Sequence, residues 1–264
     1  MGSRVQVEWY QHRGCIGGSK EEVKYHNSPT AGQVVIDKHG NEPQFAGLEI
    51  DICYDLQDKQ WYCCHELSNK ANTRTFENYI KVVIEGRTTR ILLEVKDYST
   101  NCDIGAVHDL IGRYNLTRRV TIVTFSKNAI SDMVKVMGDN SECYYPLVLF
   151  VTTEKDLAKR AEFLKSLIEI NNTQSHTPPV GLLLRWHKIR PNRNEKDCDE
   201  DFFVGAEKMA RSFGFIPCLY SGIRPMDLPN IARARLGVAK EEEIVISFIT
   251  DVPNPDMLGH RLVS

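Results

Sequence analysis

Gly47-Leu48-Glu49-Ile50-Asp51-Ile52-Cys53 reads as an apolar strand with two carboxylates at alternate positions. Successive side chains of a strand point to opposite faces, so Glu49 and Asp51 share one. Ile91-Leu92-Leu93-Glu94-Val95-Lys96 repeats the pattern, with Glu94 and Lys96 on a common face. Runs this apolar are buried on both sides, which implies a parallel sheet covered by helices. Working outward, strands are predicted at 5–11, 46–53, 90–96, 120–125, 146–151, 181–186, 215–220 and 244–249. Segments of helical period lie at 75–85, 104–114, 128–136, 154–169, 204–213 and 228–236. Ser126 and Thr153 suit helix N-caps, and Gly138 and Gly237 stand where helices should stop. Eight strand–helix units in one chain predict a single α/β domain over residues 1–264, a (β/α)₈ TIM barrel.

Three segments break this rhythm. Residues 14–44 carry only a weak helical signal around 19–25 and are rich in Gly, Pro, Asn and His. Residues 61–65 read as a short extra strand, a hairpin after the second barrel strand. Residues 187–201 form a charged loop after the sixth strand. All three follow C-terminal ends of strands, the rim where such barrels keep their active sites.

Composition narrows the function classes. With 264 residues, 42% of them apolar and 26% charged, the chain has ordinary globular character and core enough to fold without disulfides. A net charge of −2 offers no electrostatic attraction for nucleic acid or an anionic membrane. No apolar stretch is long enough for a transmembrane helix. The opening MGSRVQVEWYQHRG lacks a signal peptide's apolar run, and Gln6 replaces the Ser or Thr of a myristoylation signal. Eight cysteines without a C-x-x-C, most of them in apolar runs, read as reduced thiols of a cytoplasmic protein.

The ionisable residues at strand ends carry the chemistry. On the inner face of a barrel Glu49, Asp51 and Glu94 would be buried, at several kcal/mol each unless paired or bound to metal. Lys96 and Arg13 supply two cations for three carboxylates. The surplus favours one hard divalent cation with oxygen ligands, Mg²⁺ or Ca²⁺. His12 ends the first strand and His65 the extra one; at neutral pH one imidazole can accept a proton while another donates. Most of the six other histidines, His26, His39, His108, His176, His187 and His260, read as structural or surface residues.

The ordered pieces His12-Arg13-Gly14, Glu49-x-Asp51, His65 and Glu94-Val95-Lys96 resemble the glycerophosphodiester phosphodiesterase family. Val120 to Phe125 followed by Ser126 is similar to a later strand of that family. The resemblance covers the first half of the chain by motif and the second by strand count. It implies a phosphoric diester hydrolase in which His12 and His65 are general acid and base and Glu49, Asp51 and Glu94 hold the metal. Arg13 and Lys96 would contact the phosphate of a small phosphodiester or lysophospholipid, with Arg185, at the end of the sixth strand, a substrate-binding candidate on the rim. The chain departs from the family in three ways. His65-Glu66 stands for His-Asp, the stretch between Gly14 and Glu49 is longer and lacks a Glu-Asn pair, and the stretch from His65 to Glu94 has no room for the family's insertion subdomain. The last trait resembles the spider-toxin-like phospholipase D branch, which shares the barrel and the two-histidine logic; the attacking group would be water or a neighbouring hydroxyl of the substrate.

Three other readings compete. The departures suit a barrel that has lost catalysis and serves as a binding or scaffold module. A zinc amidohydrolase would need a His-x-His on its first strand, and the chain has none. Nucleotide binding fails for lack of a G-x-G-x-x-G or Walker loop.

Overall fold

Alternate residues along the strands enter two separate cores. The computed structural model describes residues 4–14, 26–138, 144–151, 154–172, 178–185, 208, 219–220, 243–250 and 262–263. Within these, β1 (Arg4–Gln11), β2 (Phe45–Asp55), β3 (Gln60–Tyr62), β4 (Arg90–Val95) and β5 (Val120–Thr124) come first. They are followed by β6 (Leu147–Val151), β7 (Val180–Arg185), β8 (Leu219–Tyr220), β9 (Glu243–Thr250) and β10 (Leu262–Val263). On β4, Ile91, Leu93 and Val95 join an outer core beneath the helices, whereas Leu92 joins an inner one. On β6 the split is Leu147, Leu149 and Val151 outward against Val148 and Phe150 inward. The inner cluster also gathers Tyr10, Val123, Leu183 and Ile249. Strands that contribute to one common inner cluster must curl around it.

The pairings agree. β2, β4, β5, β6, β7, β8, β9 and β1 follow one another as parallel neighbours, and β1 pairs in parallel with β2 as well as β9. The result is a curled parallel sheet, and each of the eight expected strands overlaps one of its members. α1 (Pro29–His39) follows β1; α2 (Phe76–Tyr79), continuing as a π-helical turn (Ile80–Ile84), follows the β2–β3 hairpin. α3 (Ile104–Arg113), α4 (Lys127–Met137) and α5 (Glu154–Asn172) follow β4, β5 and β6. Ser126 caps α4 by accepting the Ala129 N–H at 3.2 Å, and Gly138 ends it at φ 57°. Thr153, Gly237, the weak helix at 19–25, the loop at 187–201 and the expected helices at 204–213 and 228–236 lie outside the described residues, Lys208 excepted.

The structure corrects two expectations. The segment after the first strand, read as nearly devoid of helix, contains the eleven-residue α1. Its start is fixed by Ser28, whose hydroxyl accepts the Ala31 N–H at 3.2 Å, and by Pro29 in the first turn. Gly32 and the β-branched Val34 and Val35 weakened the periodic signal. The extra strand covers Gln60–Tyr62, antiparallel to β2, so His65 lies three residues beyond it rather than at its end. Cys63 N–H turns aside to donate to Arg74 O at 2.9 Å, which ends the pairing with β2. β10, antiparallel to β1, was not anticipated.

Cys53, Cys63, Cys64 and Cys102 are free thiols, the first three buried. Among the described residues no helix is long and apolar enough to cross a membrane.

Gly32 illustrates how tightly α1 is seated. A methyl group there would collide with the hydroxyl of Tyr79, which is fully buried and also lies against Gly14. An alanine inside a helix ordinarily stabilises by about 0.5–1 kcal/mol. Here Gly32→Ala is expected to destabilise by about 1–3 kcal/mol through overpacking. Urea denaturation of the variant checks the sign.

Candidate functional site

Register builds the site. β2 and β4 pair with Asp51 directly beside Glu94 and Glu49 beside Leu92. Glu49, Asp51 and Glu94 are only 1%, 1% and 5% exposed. One carboxylate oxygen from each lies within 4.8 Å of the others. Adjacent like charges across a strand pair repel, so the arrangement needs positive partners.

The first partner arrives from the end of β1, where a single turn, His12–Gly14, takes the chain off the sheet. Arg13 adopts the left-handed region at φ 51°, ψ 26°, and this turns its peptide N–H onto Glu49 Oε2 at 2.7 Å. Its Nε lies 3.3 Å from Asp51 Oδ2, and its Nη1 lies 3.3 Å from His26 Nδ1. His12 Nε2 is 3.9 Å from Glu49 Oε2. The second partner is Lys96, whose ammonium donates to Glu94 Oε1 at 2.7 Å and sits 3.4 Å from Asp51 Oδ1. His65 lies in the same electrostatic neighbourhood, under the charges of Asp51, Lys96 and Arg13. With a side chain 35% exposed, it opens on a cleft of about 560 Å³ shared with Glu66, Lys96, Asp97, Tyr98 and Phe125. Phe125 is itself stacked on Phe150 of the inner core, ring centroids 4.4 Å apart.

Burial and charge set the protonation states. Glu49 is pushed up to about 7, from an ordinary 4.5, by burial and then by Asp51, against the pull of His12 and Arg13. Glu94 is raised well above its ordinary value by burial and by Asp51. Burial would raise Asp51 too, but Lys96, Arg13 and the Asn27 amide outweigh it and hold it low. Burial lowers His65, with Lys96 and Arg13 adding to the effect against Asp51, so its imidazole is neutral at pH 7. The two side-chain cations thus answer part of the acidic trio, and the surplus of acidic groups is met by protons favoured on Glu49 and Glu94.

A divalent cation fits that surplus. Asp51 Oδ1 is buried without a hydrogen-bond partner, and the three donors are carboxylate oxygens of the kind hard cations take.

The turn after β1 and the β2–β4 register therefore bring His12, Arg13, Glu49, Asp51, Glu94 and Lys96 together, with His65 at the edge. Arg185 is the last residue of β7, in register with Tyr220 of β8; its side chain is outside the described set. Sequence reasoning missed His26 and Asn27. Asn27 Nδ2–H donates to Asp51 Oδ2 at 3.0 Å, and its Oδ1 accepts the Asp51 N–H at 2.9 Å. The segment said to lack a Glu-Asn pair delivers an asparagine all the same, behind a histidine. The readable signal was His26-Asn27-Ser28-Pro29, a polar residue tolerant of left-handed backbone directly before a capped helix.

By sequence, no family model and no curated protein matches the chain. Solved structures do. A glycerophosphodiester phosphodiesterase from Parabacteroides distasonis superposes with a TM-score of 0.62 at 12% identity, covering 97% of this chain and 96% of that one. One from Agrobacterium tumefaciens gives 0.56 at 14%, covering 96% and 99%. The chain has their fold. A phosphodiesterase from Oleispira antarctica, solved with the product sn-glycerol-3-phosphate, gives 0.57 at 13%, covering 95% and 94%.

A pH experiment follows from Glu49. The folded state keeps its proton up to about 7, whereas the unfolded chain releases it near 4.5. Across that window the folded protein binds more protons, so this group's contribution to stability falls as pH rises. A bound cation would replace the proton. The rise in melting temperature on adding Mg²⁺ or Ca²⁺ is therefore expected to be small at pH 5.5 and larger at pH 8. Glu49→Gln should flatten that dependence, as differential scanning calorimetry would record.

Proposed function

We propose that this chain is a metal-dependent phosphoric diester hydrolase, of the glycerophosphodiester phosphodiesterase kind, on a complete (β/α)₈ barrel. One observation carries the reading: three buried acidic groups against only two side-chain cations, Arg13 and Lys96, set beside His12 and near His65. The fold shared with phosphodiesterases of solved structure supports it. A non-catalytic module would have no use for so costly a cluster.

Glu49, Asp51 and Glu94 would hold one Mg²⁺ or Ca²⁺, which when bound supplies charge neutralisation to a non-bridging phosphate oxygen. Arg13 reaches the same place with its guanidinium and Lys96 with its ammonium, so both would grip the phosphate. Neutral His65 is suited to take the proton of the attacking oxygen. His12, beside the Glu49 carboxylate, would hold a proton for the departing alkoxide. The cleft between His65, Tyr98 and Phe125 offers room for the substrate's alcohol portion, and Arg185 is a candidate contact from the far side of the rim. With water as attacker the products are a phosphomonoester and an alcohol; with a neighbouring substrate hydroxyl, a cyclic phosphate. Buried free thiols at Cys53, Cys63 and Cys64 support a reducing compartment such as the cytoplasm.

Turnover of glycerophosphodiesters, lysophospholipids and sphingomyelin, followed by ³¹P NMR, tests this and separates linear from cyclic product. His12→Ala and His65→Ala should each lower turnover by about 10²–10⁴, the usual worth of general acid–base catalysis, with little change in melting temperature. Excess chelator should abolish turnover and added Mg²⁺ or Ca²⁺ restore it. Wild-type rates in His12→Ala, or full activity under chelation, would refute the assignment.

A further inference from the structure

We propose that Asn27 is a positioning residue that divides the two oxygens of Asp51, fastening one so that the other is presented to a cation. The inference rests on reading Glu49, Asp51 and Glu94 as a cation site. It goes further by assigning the geometry of that site to a residue that touches none of the reacting atoms.

The side chain of Asn27 is fully buried and makes two hydrogen bonds to the same residue. Its Oδ1 accepts the backbone N–H of Asp51 at 2.9 Å. That bond settles which way the amide faces, because a peptide N–H can only donate. The NH₂ group is thereby forced toward the Asp51 carboxylate, where it donates to Oδ2 at 3.0 Å. Arg13 Nε, 3.3 Å away, reinforces the same oxygen. Oδ1 of Asp51 receives no hydrogen bond although it is buried; its nearest cation is Lys96, at 3.4 Å. One oxygen is tied by hydrogen bonding and the other is left without a hydrogen bond beside the Lys96 ammonium.

Asn27 acts on the second ligand as well. Its backbone N–H donates to Arg13 O at 2.8 Å, fixing the turn whose own peptide N–H donates to Glu49 Oε2 at 2.7 Å. These contacts require a left-handed backbone at position 27, φ 59°, which asparagine adopts more readily than most residues. Asn27 thus orients Asp51 through its side chain and Glu49 through its own backbone N–H and Arg13. Groups that orient metal ligands in this way typically change metal affinity 10–100-fold when removed.

Calorimetric titration of chelator-dialysed protein with Mg²⁺ and with Ca²⁺ tests the assignment. Asn27→Ala is expected to bind 10–100-fold more weakly than wild type, and its turnover defect should shrink as the cation approaches saturation. Asn27→Ser, which can satisfy only one of the two Asp51 groups, should weaken binding in the same direction and serves if the alanine variant does not fold. Ser28→Ala removes the α1 cap next door without touching Asp51 and should bind like wild type. Unchanged affinity in both Asn27 variants, or an equal loss in Ser28→Ala, overturns the role of Asn27 alone. Absence of binding by the wild-type protein overturns the cation site and this inference together.

Discussion

Three carboxylates held within 4.8 Å of one another in a buried place are the constraint around which this molecule is organised. Glu49, Asp51 and Glu94 cannot all ionise there without compensation, and the cost of leaving a buried charge unanswered is several kcal/mol. Arg13 and Lys96 answer part of it. The raised titration of Glu49 and Glu94 records how much is left. A fold gains nothing from such a cluster unless an external positive group completes it, and this is the basis for the proposed cation.

The scaffold transmits that requirement outward. The β2–β4 register places Asp51 beside Glu94, and side-chain alternation turns both, with Glu49, into the space enclosed by the curled sheet. The turn at 12–14 can approach Glu49 only because Arg13 takes a left-handed conformation and Gly14 fits against Tyr79. Tyr79 in turn needs Gly32 on α1, so the helix missed by periodicity supports the turn that carries His12. On the other flank the β2–β3 hairpin returns the chain toward His65. Cys53 Sγ donates to Cys64 O at 3.2 Å, tying the segment before His65 to β2.

The strands were legible because a parallel sheet buried on both faces writes long apolar runs, and carboxylates inside such runs stand out. Glu49, Asp51, Glu94 and Lys96 could therefore be assigned to one face from spacing alone. His12 and Arg13 followed from their position after β1. Less was readable where the fold depends on side-chain bonds between distant segments. Asn27 lies 24 residues from Asp51, and no local pattern announces that its amide will meet that carboxylate. His26 looked like an ordinary surface histidine until Arg13 was placed beside it. α1 was hidden because Gly32, unfavourable in a helix, is there for contact with Tyr79 rather than for helix propensity. The end of β3 was misplaced because Cys63 exchanges its sheet partner for Arg74, a tertiary choice that the run from Trp61 to His65 does not encode.

Anomalous diffraction from crystals soaked in Mn²⁺, a scattering substitute for Mg²⁺, interrogates the central claim most directly. A single strong peak within about 2.0–2.6 Å of oxygens from Glu49, Asp51 and Glu94 is the expected result. A featureless map there, with the Lys96 ammonium still bridging Asp51 and Glu94 at saturating metal, would mean that the cluster is a closed set of ion pairs.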